Sequence, residues 1–162
     1  MATRVALIAD THLGESGELP PACAELIAGS DLVLHAGDVS SAEALARMRA
    51  IGTPLEAVQG NVEDATLRGS LPAELNLKIE SVRFAVVHDA GPEKGRLERL
   101  RARFPDADVV VFGHSHMPLH EIGGDLQIFN PGSPTQRRRA PHRSMGLAEV
   151  EGTDVRLEHL AV

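Results

Sequence analysis

Residues 4–9 read RVALIA and stop at Asp10-Thr11-His12. Beyond Arg4 the run is wholly apolar, and a short apolar run bounded by polar turn residues reads as a strand buried on both faces. The residues that follow set its partners. Pro20 to Ala28 (PPACAELIA) carries helical spacing and is stopped by Gly29 and Ser30, after which Asp31 to His35 (DLVLH) reads as a second strand. Ser40 and Ser41 offer an N-cap with Glu43 close behind. They open a helix over Ala42 to Ile51 that Gly52 ends, and Pro54 to Val58 reads as a third strand. Strands alternating with helices at this spacing predict parallel pairing and an α/β fold.

The second half changes character. Glu74 to Glu80 (ELNLKIE) and Val82 to Val87 (VRFAVV) alternate around Ser81 and predict an antiparallel pair. A helix is expected from about Glu93 to Phe104, ended by Pro105, and Asp108 to Phe112 is a further buried strand. Leu119–Ile122, Leu126–Phe129, Gly146–Val150 and Val155–Leu160 form a strand-rich tail with turns at Gly123–Gly124 and Gly152, which reads as a second sheet. The basic run Arg137–Arg138–Arg139 falls in a loop bounded by Pro134 and Pro141.

The chain has 162 residues, a length that predicts one domain, and 43% of them are hydrophobic, enough to bury a proper core. No apolar run approaches the 18 or so residues of a membrane helix, and the first one ends at Asp10, so the chain reads as neither membrane-spanning nor secreted. Cys23 is the single cysteine, which excludes an intrachain disulfide or a cysteine-based zinc site and suits a cytoplasmic location. With 16 basic against 23 acidic residues the net charge is −7, which argues against broad electrostatic nucleic-acid binding but leaves room for a local cationic phosphate site. Symmetric dimers are common, and a homodimer is compatible with this chain.

Five polar clusters follow the carboxyl ends of expected strands: Asp10-Thr11-His12, Gly37-Asp38, Gly60-Asn61, His88, and Gly113-His114-Ser115-His116. Strand ends on one side of a parallel sheet form the ligand crevice, so clusters far apart in sequence converge there. Two carboxylates, one amide oxygen and four imidazoles suit a pair of divalent ions, manganese, iron, cobalt, nickel or zinc in preference to calcium. A bridging Asp38 would hold the two roughly 3.5–4 Å apart. Two dications against two carboxylates leave the pocket net positive, so it would attract a phosphate even in an acidic protein.

Taken together, D-x-H, G-D, G-N, H and G-H-x-H make the chain resemble the calcineurin-like metallophosphoesterase superfamily over nearly its whole length. The chain's size and its Asn130-Pro-Gly-Ser133-Pro run place the resemblance in the small bacterial and archaeal phosphodiesterase branch related to the scaffold protein Vps29. The resemblance implies a single phosphoesterase domain over residues 1–162, built as an α/β sandwich of two packed mixed β-sheets flanked by helices. It implies one metal held by Asp10, His12, Asp38 and His116 and another by Asp38, Asn61, His88 and His114, with manganese the first expectation. Asp38, Asn61 and His88 would then carry catalysis, a hydroxide bridging the two metals attacking a small-molecule phosphodiester in line.

Two positions depart from the family pattern. Many members have histidine after G-N, where this chain has Val62, and valine cannot donate a proton to a leaving group. Many also read H-G where this chain reads His88-Asp89. The first departure predicts a preference for activated diesters whose leaving groups need no acid. Singly, each motif has an ordinary reading: Asp10 or Asp38 as a helix cap, Asn61 as a turn residue. His35 reads as a packed or supporting histidine, His120 and His159 as ordinary polar positions, and Glu63 and Asp64 as helix N-terminal acids. Arg137, Arg138, Arg139 and His142 are read equally as phosphate contacts or as a solvated loop. The competing functions are a non-catalytic metal-binding scaffold of the Vps29 type and a phosphomonoesterase or nucleotide pyrophosphohydrolase.

Overall fold

A computed structural model describes residues 1–162. The first half builds the parallel unit: β1 (Thr3–Ile8), α1 (Pro21–Ala28), β2 (Leu32–His35), α2 (Ala42–Arg49) and β3 (Leu55–Ala57). β1 pairs parallel with β2, Val5 opposite Leu32, and β2 pairs parallel with β3, Val33 opposite Leu55. A short helix α3 (Ala65–Ser70), expected only through its N-terminal acids Glu63 and Asp64, leads to β4 (Glu74–Ile79) and β5 (Val82–Val87), which pair antiparallel. Then come α4 (Arg96–Arg103), β6 (Val109–Val111), β7 (Leu119–Gly123), β8 (Leu126–Asn130), β9 (Ser144–Glu151) and β10 (Asp154–Ala161).

The strands form two five-stranded mixed sheets, β10-β9-β1-β2-β3 and β4-β5-β6-β8-β7. The strand-rich tail is therefore divided between the sheets and does not make a second sheet of its own. β7 and β8 extend the sheet of β4–β6, whereas β9 pairs antiparallel with the open edge of β1, Val5 opposite Ala148. The division has a packing cause: in that register Ala148, Val150 and Leu157 join Val5 and Leu7 in the layer between the sheets. From the other sheet the same layer receives Phe84, Val86, Val109, Val111 and Phe129.

The opposite face of the first sheet, through Ala6, Ile8 and Val33, packs on Cys23 and Ile27 of α1 and on Leu45 and Met48 of α2. The outer face of the second sheet, through Ala85, Val110 and Ile128, packs on Leu100 of α4 and on Phe104. The result is helices outside and two sheets inside. Each of the buried Val, Leu, Ile, Met and Phe side chains among these stabilises the sandwich by about 1.5–3 kcal/mol. No helix is long and apolar enough to cross a membrane.

Candidate metal centre

The five polar clusters meet where the carboxyl ends of β1, β2, β3, β5 and β6 open at one end of the sandwich. Beyond the last paired residues of β1 and β2 the two loops stay in register, Asp10 N–H donating to Gly37 O (3.0 Å) and His12 N–H to Asp38 O (3.1 Å). Backbone conformation there is unusual: Asp10 (φ 54°), His12 (42°), Asp38 (61°), His114 (74°) and His116 (60°) are all left-handed. Non-glycine residues adopt this region rarely and at a cost of order 1–3 kcal/mol, and such strain concentrates at functional sites. Glycines supply the space. A Cβ on Gly60 would overlap the Asp38 carboxylate, and one on Gly37, itself left-handed, would stand 2.6 Å from His88 Nδ1.

Asp38 Oδ1 accepts from the backbone N–H groups of Asn61 (2.8 Å) and Val62 (3.3 Å). Those bonds turn Oδ2 toward two imidazoles, 3.3 Å from His12 Nε2 and 3.4 Å from His88 Nε2. Asp10 Oδ1 faces three, His116 at 3.7 Å, His88 at 3.9 Å and His12 at 4.0 Å. His88 Nδ1 lies 2.7 Å from Ala36 O, and His116 Nδ1 lies 2.7 Å from Gln136 O. A carbonyl can only accept, so each Nδ1 carries a proton, and the neutral form of each ring turns its Nε2 lone pair to the carboxylates.

Both oxygens of Asp10, with Nε2 of His12 and of His116, are buried and have no hydrogen-bond partner. Lone pairs facing lone pairs without water repel, and a buried unpaired polar atom is costly. A cation among them removes both penalties, so these residues fit a divalent metal. Two groups of ligand atoms converge closely enough, Asp10-His12-His116 and Asp10-Asp38-His88. Asn61 Oδ1 lies 3.0 Å from His88 Nε2. With the amide turned over, its nitrogen would donate to that Nε2 and to both Asp38 oxygens, so Asn61 can offer a donor to the lone pairs or an oxygen to a cation.

The electrostatics follow from burial. Desolvation pushes Asp10 up to about 7, against the opposing charge of His88 and, more weakly, of Arg138. Desolvation also raises Asp38, but His88, the Asn61 N–H and His12 outweigh it and hold the carboxyl well below the usual carboxylate range. His88 is lowered by burial and raised by Asp38 and Asp10, with a net shift upward. Burial lowers His12 and His116, and Arg138 lowers both further. Arg138 is thus felt at Asp10, His12 and His116, although it is exposed and makes no ion pair or hydrogen bond through its guanidinium.

Of the seven expected ligands, six are drawn together with side chains in mutual reach: Asp10, His12, Asp38, Asn61, His88 and His116. His114 stands slightly apart, exposed and edge-on to His88 with ring centroids 5.2 Å apart. Its side chain opens onto a cavity of about 340 Å3 that Asn61 and His88 also line.

Glu63 corrects the sequence reading. Asp64 does cap α3, accepting from Leu67 N–H, but Glu63 is buried and clamps two ligand loops, Oε1 accepting from Val39 N–H (2.9 Å) and Oε2 from Gly60 N–H (2.7 Å). The residues 130–136 were not expected to serve the site. Asn130 donates to Gly113 O, Ser133 Oγ to Asp10 O and Thr135 Oγ1 to Thr11 O, bracing the loops from beneath. The left-handed Gly132 inside that run was the available signal. His35 is a supporting residue, its Nδ1 accepting from Gly37 N–H and its Nε2–H donating to Thr11 Oγ1. His159 is not an ordinary surface position, because it stacks on Phe129 (4.2 Å) and bonds Asn130 O through Nε2.

Comparison with known proteins gives the family and the fold. The chain is 34% identical over 137 residues to a probable metallophosphoesterase of Methanothermobacter thermautotrophicus, covering 83% of this chain and 78% of that one. Vps29 of Chaetomium thermophilum has the same fold, with TM-score 0.79 at 20% identity, covering 98% of this chain and 95% of that one. Vps29 of Entamoeba histolytica, in a structure complexed with Zn2+, matches at TM-score 0.77 and 20% identity, covering 98% and 99%. Residues 3–153 match the calcineurin-like phosphoesterase superfamily domain, and the chain belongs to that superfamily.

Proposed function

We propose that the protein is a phosphodiesterase working with two divalent metal ions, manganese first among the candidates. The observation that carries the reading is the buried, unpartnered set of Asp10 Oδ1 and Oδ2, His12 Nε2 and His116 Nε2, with Asp38 Oδ2 and His88 Nε2 packed beside it. Asp10, His12, Asp38 and His116 would hold one ion, and Asp38, Asn61, His88 and His114 the other. When bound, the ions supply a Lewis-acidic centre that lowers the pKa of water and neutralises charge on the phosphoryl oxygens.

The chain's own residues prepare that centre. Ala36 O and Gln136 O fix His88 and His116 in the tautomer that points a lone pair inward. Asp38, pinned through Oδ1, keeps Oδ2 between His12 and His88. Arg138, exposed and with no bond through its guanidinium, is available to bind a phosphoryl oxygen. Val62 is 41% exposed where an acid would stand, so no proton reaches the leaving oxygen from that position. Diesters with readily departing leaving groups are the favoured substrates.

The test is hydrolysis of bis-p-nitrophenyl phosphate beside p-nitrophenyl phosphate by chelator-stripped protein, before and after manganese is restored. The expected result is diester turnover that depends on metal and exceeds monoester turnover. Faster monoester turnover would move the assignment to a phosphomonoesterase. A folded, metal-loaded protein inert to both would favour a scaffold of the Vps29 type.

A further inference from the structure

The cavity of about 340 Å3 beside the centre has a wall that the metal ligands do not account for. Away from Asn61, His88 and His114 it is completed by Gln59, Asp89 and Arg103. Only two of its lining residues, Ala73 and Val87, are hydrophobic, the rest of its apolar surface being the carbon of polar side chains and glycine. The three polar residues keep hydrogen-bonding capacity in reserve. Gln59 is held through its backbone N–H to Pro72 O, and its side-chain amide makes no bond within the chain. Asp89 commits Oδ1 to Gly91 N–H (2.8 Å) and leaves Oδ2 free. Arg103 donates from Nε and Nη2 to Glu74, lies over the Phe104 ring, and leaves Nη1 uncommitted. Asp89 stands where the family resemblance leads one to expect glycine, so this part of the wall belongs to the present chain.

The cavity offers a base no phenyl, phenol or indole ring, only the imidazoles of His88 and His114, which the phosphoesterase reading assigns to metal. The chain has no Trp or Tyr, and its four phenylalanines, Phe84, Phe104, Phe112 and Phe129, are each at most 3% exposed. Base recognition leans on stacking against aromatic or guanidinium planes, and one of the two faces of Arg103 is already taken by Phe104. An acyl chain would need an apolar lining. A hydroxyl, by contrast, both donates and accepts, which suits a wall of one carboxylate oxygen, one amide and one guanidinium edge. The volume lies at the small end of ligand sites, roughly 300–1,000 Å3.

We infer that this cavity receives one ester arm of the substrate and that the arm is a small polyhydroxylated alcohol of the glycerol or sugar class. The inference rests on the phosphoesterase reading and names the substrate class for that site. The experiment compares three mixed diesters that share a p-nitrophenyl group and differ in the other arm: glyceryl, butyl and thymidine-5′-yl. The manganese-loaded protein is expected to favour the glyceryl diester by at least about tenfold in kcat/KM. Gln59→Ala and Arg103→Gln should each bring the glyceryl-to-butyl ratio toward one. Binding of glycerol phosphate is measured beside butyl phosphate by calorimetry, and tighter binding of the former is expected.

Equal turnover of the three diesters, or preference for the butyl or thymidine arm, overturns the inference and leaves the phosphoesterase reading standing. No turnover of any of them, with no phosphate ester bound, overturns both. A wild-type preference that survives both substitutions removes this wall as its cause.

Discussion

Asp10 shows how a single residue is given over to the centre at the expense of the fold. It is fully buried, left-handed, and both its oxygens lack donors. Because burial holds it at about 7, the folded chain keeps a proton there that the unfolded chain releases near 4. Its contribution to stability is therefore complete below about pH 4 and lost as pH rises through 7. Asp10→Asn should melt above wild type in chelator-stripped protein at pH 8, the gap should narrow at pH 5, and manganese should reverse the order. A change of about 1 kcal/mol would appear as roughly 2–4 °C. Val62 gives a second prediction at this scale: Val62→His places an acid at the vacant position and should raise turnover of alkyl diesters relative to aryl diesters, measured as the ratio of kcat values. The residues that gather at the candidate centre were legible in the sequence, because D-x-H, G-D, G-N and G-H-x-H each keep theirs close together along the chain. Glu63 was not, since a carboxylate before a helix reads as a cap until the fold brings Val39 and Gly60 within its reach.

Among the elements, α2 ties the first ligand loop to the sandwich. Ser41 caps it, accepting from Ala44 N–H, and the same hydroxyl donates to Gly14 O at 2.8 Å. Arg47, one face further along, donates to Gly14 O and Gly17 O. Ser41→Ala should cost about 1 kcal/mol in urea denaturation. Ser41→Asn, which can restore the cap, should recover part of it. The helices with an apolar stripe were legible. α3 was legible only at its start, through the capping Asp64, because its ATLRGS carries a threonine and a glycine and buries only Leu67. The tail strands were legible as strands but not as members of particular sheets. Alternation tells which face is buried, whereas the choice of β1 or β6 as a neighbour is made by chain reversal and by packing of Ala148 and Val150 between the sheets.

At the scale of the whole molecule the centre lies across both sheets. Asp10, Asp38 and Asn61 follow strands of one, His88 and His116 follow strands of the other, and Phe129 and Leu7 meet in the layer beneath. A ligand bound there holds the sheets together, and it adds stability in proportion to the logarithm of its concentration over Kd, about 2.7 kcal/mol at a hundredfold excess. That convergence was legible only through topology, from the rule that strand ends on one side gather the functional loops. The most direct test is a manganese titration of chelator-stripped protein by calorimetry, with bound metal counted after gel filtration, for wild type and Asp38→Ala. The account predicts two ions per chain in wild type and weakened binding of both in the variant, since Asp38 Oδ2 stands between His12 and His88. No tightly bound metal in wild type, or unchanged binding of two ions without the Asp38 carboxylate, would contradict it.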